Sequence, residues 1–135
     1  VGALPSGRKA GAPLGDSCAP YMGTDIKGPT AALKSVAKIP HYKTHGTITN
    51  MYVSSHSIKN DAGRHRLSDL IQAYFDQGGA HIQFNTMDKD VLREAQVHPK
   101  KYPTLLVRVA GYSAYFVDLT KQVQDSIIMR SEHKI

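Results

Sequence analysis

Apolar spacing switches period repeatedly along this chain, and that alternation confines it to folds that mix helices with strands. Gly28-Pro29-Thr30 opens an Ala-rich stretch, Ala31 to Lys38, whose residues favour a helix with Pro29 in its first turn and Pro40 ending it. Thr47-Ile48-Thr49-Asn50-Met51-Tyr52-Val53 alternates and is rich in β-branched residues, so it reads as a strand entered from Gly46. Leu67, Leu70, Ile71, Tyr74 and Phe75 recur three and four apart, the mark of an amphipathic helix that Gly78-Gly79 terminates. His81-Ile82-Gln83-Phe84-Asn85 returns to strand alternation, and Asp88 can cap a helix with Val91, Leu92 and Ala95 on one face and Pro99 as its stop. Leu105 to Val109 is apolar and β-branched, as a buried strand is, and runs straight into Ala110-Gly111-Tyr112-Ser113. Thr120 can cap a last helix with Val123, Ile127 and Ile128 facing inward. The pattern predicts an α/β or α+β arrangement and excludes repeats and coiled coil.

Before Thr30 the chain is Gly- and Pro-rich without periodicity, a loop that needs a scaffold to hold it. At 135 residues, one domain with a real core is the default. No apolar run approaches the ~20 residues that span a bilayer. The first residues, Val1-Gly2-Ala3-Leu4-Pro5, carry neither an initiator Met nor a signal-peptide core and read as the interior of something longer. A formal charge of +6 raises nucleic acid as a partner, but Arg8-Lys9, Lys34, Lys38, Lys43, Arg64, Arg66, Lys100-Lys101 and Lys134 are dispersed among acidic residues, so neither nucleic acid nor membrane is expected. The single cysteine, Cys18, excludes an internal disulfide and a zinc ribbon and points to a reducing, cytoplasmic setting.

Gly111 interrupts an apolar run, where a glycine usually marks a bulge, a tight turn or close approach of another backbone. Its neighbours add a different reading. Arg108-Val109-Ala110-Gly111-Tyr112-Ser113-Ala114-Tyr115-Phe116-Val117-Asp118-Leu119 resembles, nearly residue for residue, the C-terminal signature of glycyl radical enzymes. The likeness continues through Val123-Gln124-Asp125-Ser126-Ile127-Ile128 to Arg130-Ser131-Glu132-His133. Upstream it takes in Leu92-Arg93-Glu94-Ala95-Gln96, His81-Ile82-Gln83-Phe84-Asn85, Gly28-Pro29-Thr30-Ala31-Ala32 and Gly7-Arg8-Lys9-Ala10. The Ala-Gly-Tyr-Ser form is similar to the branch of glycerol and diol dehydratases, choline lyase and arylacetate decarboxylases. Pyruvate formate-lyase differs, with Ser before the glycine.

The resemblance implies a fold, a chemistry and a set of partners. The fold would be α/β: the C-terminal portion of a ten-stranded barrel, with the glycyl radical loop and flanking helices. Residues 1–60 would form the end of the barrel region, and residues 61–135 the glycyl radical domain. No bound cofactor is implied beyond the radical itself, a modification stored on Gly111 in a buried loop shaped by Arg108, Val109, Ala110, Tyr112 and Ser113. Glycine suits the role because an α-carbon radical is stabilised by its flanking amide groups only when the centre flattens, which a side chain hinders. An activating enzyme using S-adenosylmethionine and an iron–sulfur cluster would remove the Gly111 hydrogen, and the loop would break at Gly111 on meeting oxygen.

In the family, the glycyl radical takes a hydrogen atom from a cysteine in a Gly-Cys-x-Glu loop, and the thiyl radical attacks a small-molecule substrate. Cys18 is followed by Ala19-Pro20 and has no such surroundings, so it reads as a loop or packing residue and the catalytic cysteine is placed outside this chain. His41 and His45 have metal-like spacing, but Pro40 and Gly46 bracket them and no further ligands are evident, so no metal site is expected. His45, just ahead of a strand, is a candidate lining residue of a substrate pocket. Two functions fit: the radical-bearing part of a lyase, dehydratase or decarboxylase that is inactive without its larger portion, or a stand-alone spare part that docks on and restores a damaged enzyme.

Overall fold

The computed structural model describes residues 2–86, 88–130 and 132–135; Val1 and Ser131, quoted above, lie outside them. Among the described residues, four α-helices and five short strands follow one another in a mixed order. They are α1 (Pro29–Val36), β1 (Asn50–Val53), α2 (Asp61–Asp76), β2 (Gln83–Thr86), α3 (Lys89–Val97), β3 (Leu106–Arg108), β4 (Ser113–Tyr115), α4 (Lys121–Ile128) and β5 (Glu132–His133).

Local chemistry sets the helix ends. Pro29 occupies the first turn of α1. Asp88 caps α3, its Oδ1 accepting from the N–H groups of Asp90 at 2.9 Å and Val91 at 3.4 Å. Thr120 stands at the cap position of α4 but caps with its backbone, its carbonyl accepting from Val123 at 2.9 Å and Gln124 at 3.0 Å. The end of α2 is a Schellman turn: Gly78 has φ 91° and donates to the Phe75 carbonyl, while Gly79 donates to that of Tyr74. On α2, Leu70 and Tyr74 are buried in the first core while Phe75 is exposed, being on the side of the helix turned away from that core.

β1 is the central strand of a parallel sheet ordered β2-β1-β5. All four of its residues are buried, as expected of a central parallel strand. A strand from the first 60 residues therefore sits between two from the remainder. β3 and β4 form a separate antiparallel hairpin, with Leu106 opposite Tyr115, Val107 opposite Ala114 and Arg108 opposite Ser113. Neither β4 nor β5 is legible from periodicity, since two or three residues are too few to show alternation.

Two apolar cores result. Ala32, Leu33, Val36, Met51, Val53, Leu70 and Tyr74 join α1, α2 and the parallel sheet. Leu92, Ala95, Val107, Phe116 and Ile127 join α3, α4 and the hairpin. Cys18 packs against the first core and donates its N–H to the Ile48 carbonyl at 3.0 Å, the packing role read from its sequence context. Among the described residues, no helix is long and apolar enough to cross a membrane.

Candidate functional site

The hairpin carries the residues singled out in the sequence. Val107 on its inner face packs into the second core, which fixes the strand and leaves the connecting loop at the far end. Val109 donates its N–H to the Tyr112 carbonyl at 2.9 Å, so Ala110 and Gly111 form the tip. Tight hairpin loops of this size generally need positive φ, and glycine is the residue that supplies it. Gly111 is not among the glycines with positive φ, and a Cβ built on it would meet nothing within 4 Å. Among the described residues, neither a positive φ nor a contact beyond its chain neighbours calls for glycine at 111. Gly111 is also exposed rather than buried, so any cover for it must come from atoms outside the described residues.

The remaining loop residues divide by role. The Arg108 side chain folds back, its Nε donating to the Ala110 carbonyl at 3.0 Å. Val109 packs against the second core, Ala110 is half-buried, and Tyr112 and Ser113 are exposed. His45 is exposed ahead of β1. His41 is buried in a short 3-10 turn, with Nδ1 2.6 Å from Thr47 Oγ1 and Nε2 3.1 Å from the Val36 carbonyl, so it packs the loop structurally. Among the described residues, no three or more His, Cys, Asp or Glu side chains group as metal ligands would.

What sequence reasoning missed is a polar cluster joining the two cores beneath the hairpin. Arg130, only 9% exposed, follows α4 and reaches Tyr52 of β1 and the carbonyls of Arg108 and Val109. Its Nη1 also lies 3.6 Å from Asp16 of the N-terminal loop, and Asp16 in turn accepts from Asn50 Nδ2 at 3.1 and 3.2 Å. Burial pushes the Tyr52 phenol above its ordinary value, with Arg130 working the other way, so the hydroxyl stays protonated and donates to the Arg108 carbonyl at 3.3 Å. Beside the cluster, His133 Nε2 of β5 lies 2.7 Å from Asp25 Oδ2, a second tie between the C-terminal segment and the N-terminal loop. Asp16, Thr49, Asn50, Tyr52, Arg130 and His133 share a cavity of about 30 Å³, room for about one water molecule. No pattern of spacing marks these residues; only the family likeness around Arg130 hinted that the segment mattered.

The hairpin thus presents, at an exposed turn, a glycine for which neither a positive φ nor a close contact accounts. The family described as glycine radical matches residues 14–117, and the chain belongs to it. That family carries a glycyl radical as a modification of the polypeptide. The fold is that of the C-terminal part of such enzymes. The chain is 50% identical, with a TM-score of 0.91, to the glycerol-bound form of the B12-independent glycerol dehydratase from Clostridium butyricum, over 99% of this chain and 17% of that one. It is 45% identical to the trans-4-hydroxy-L-proline dehydratase of Clostridioides difficile over 98% of its length, and 42% identical to the indoleacetate decarboxylase of Tractidigestivibacter scatoligenes over 98%. The chain spans only 17% and 15% of those two proteins. Proteins named for dehydration and for decarboxylation match it almost equally well.

Proposed function

We propose that this chain is the radical-bearing portion of a glycyl radical enzyme of the dehydratase, lyase or decarboxylase type, with Gly111 as the residue that stores the radical. The observation that carries this reading is that Gly111, at an exposed tip rooted in a packed core, is required by neither the conformation nor the packing of its own chain. Removal of one hydrogen atom from its α-carbon by a separate activating enzyme, using S-adenosylmethionine and an iron–sulfur cluster, leaves a radical shared with the flanking amide groups. The radical then takes a hydrogen atom from a cysteine thiol, which restores the glycine and leaves a thiyl radical to act on a small-molecule substrate.

That cysteine lies outside these residues, since Cys18 is engaged in packing the first core. Residues 61–135 carry the radical loop, and residues 1–60 contribute β1 to the sheet below it. His45, exposed ahead of β1, is the residue offered to the substrate pocket. Catalysis needs the portion supplying thiol and pocket, and the activated loop is cut at Gly111 by oxygen.

The test is anaerobic electron paramagnetic resonance of the chain with its larger portion, the activating enzyme and S-adenosylmethionine, beside a Gly111→Ala control. A doublet from one α-hydrogen, absent in the control, supports the assignment. A doublet that persists in the control, or none where a related enzyme activates, rejects it.

A further inference from the structure

We propose that Arg130 is a positioning residue for the radical loop, a buried guanidinium that holds the root of the Gly111 turn to β1 and the N-terminal loop. The proposal rests on the reading of Gly111 as the radical store and concerns how its position is kept.

The three carbonyls that precede Gly111 all accept from guanidinium groups. Arg130 Nη1 donates to the Arg108 carbonyl at 3.1 Å, Arg130 Nη2 donates to that of Val109, and Arg108 Nε donates to that of Ala110 at 3.0 Å. A planar fork of five donors can serve several acceptors at once, which an ammonium on a flexible stem cannot do in the same geometry. Burying that charge is costly unless it is paired, and Asp16, itself about 10% exposed in its side chain, stands 3.6 Å away.

The guanidinium carbon also lies 5.2 Å from the centre of the Tyr52 ring, within cation–π range, while the Tyr52 hydroxyl reaches the same Arg108 carbonyl. Arg130 is placed by the end of α4, where its N–H donates to the carbonyl of Ile127, a fully buried residue of the second core. The clamp thus refers the loop to both cores. Core packing reaches along the strand as far as Val109, and Arg130 adds the ties that join the Arg108 and Val109 carbonyls to the end of α4.

Hydrogen exchange in the assembled protein tests this, comparing wild type with Arg130→Ala and Arg130→Lys. The clamp predicts that Arg130→Ala lowers amide protection over residues 106–115 by about tenfold or more, as loss of a charge-assisted hydrogen bond implies. Protection over α3 should stay unchanged, with Arg130→Lys restoring part of the loss. In the activated assembly, the Arg130→Lys doublet should form and then decay faster than the wild-type one.

Protection of 106–115 within about twofold of wild type in both variants would overturn the proposal, as would an equal loss over α3. If Arg130→Ala does not fold, Arg130→Lys decides by the same comparison. Failure of wild type to give any doublet would sink the assignment of Gly111 while leaving the exchange result to decide the clamp.

Discussion

Replacing Gly111 by alanine should leave the fold intact while abolishing the radical, and the structure sets the size of both effects. A methyl group at 111 meets no atom within 4 Å, so the ~1–3 kcal/mol that overpacking usually costs does not apply. The tip is exposed, so the ~0.8 kcal/mol gained by burying a methylene does not apply either. Because φ at 111 is not positive, no left-handed strain arises, and what remains is the reduced freedom of the unfolded chain, about 0.4–1 kcal/mol in favour of alanine. For a domain of this size that is a rise in Tm between zero and about 5 °C. Calorimetry of the chain before and after the substitution measures it, and the resonance doublet measures the chemistry in parallel. A fall in Tm of more than about 5 °C would refute the reasoning, because it would show that the fold itself demands glycine at the tip.

Gly79→Ala makes the opposite case: its Cβ would lie 2.4 Å from the ring of Tyr74, which is fully buried, so the substitution should cost about 1–3 kcal/mol. An unchanged denaturant midpoint would contradict the packing described at the end of α2. Acid should weaken the exposed polar ties of α3 and α4. Hydrogen bonds from Lys101 and Tyr102 hold the Glu94 carboxyl below its ordinary 4.5, and those from Gln96 and Lys121 hold Asp125 below 3.8. Carboxyls lowered by folding stabilise the native state fully above their ordinary values, and that contribution is lost as pH falls through the lowered ones. Thermal unfolding between pH 6 and pH 3 should therefore show a Tm that declines below about pH 4.5, with a shallower decline in Glu94→Gln; equal slopes would exclude the Glu94 contribution.

Much of the chain was readable as written. Pro29, Asp88 and Gly78-Gly79 mark helix ends by local chemistry, and such signals survive any tertiary context because the groups they satisfy are neighbours in sequence. The run from Arg108 to Leu119 carried the family, and with it the candidate glycine. Other features were fixed only by folding. Phe75 fits the apolar spacing of α2 yet faces solvent, while Leu70 and Tyr74 make the contact with the first core. β4 and β5 exist only through the strands they pair with.

Burial of Arg130 likewise depends on Tyr52, Arg108, Val109 and Asp16, residues as many as 114 positions away in sequence, converging on one guanidinium. The sequence by itself determined the alternation of elements, their caps and the identity of the loop, all set by groups close along the chain. The tertiary structure alone decided what roots that loop and that its glycine is free of structural duty, because both depend on atoms that only the fold brings together, or keeps apart.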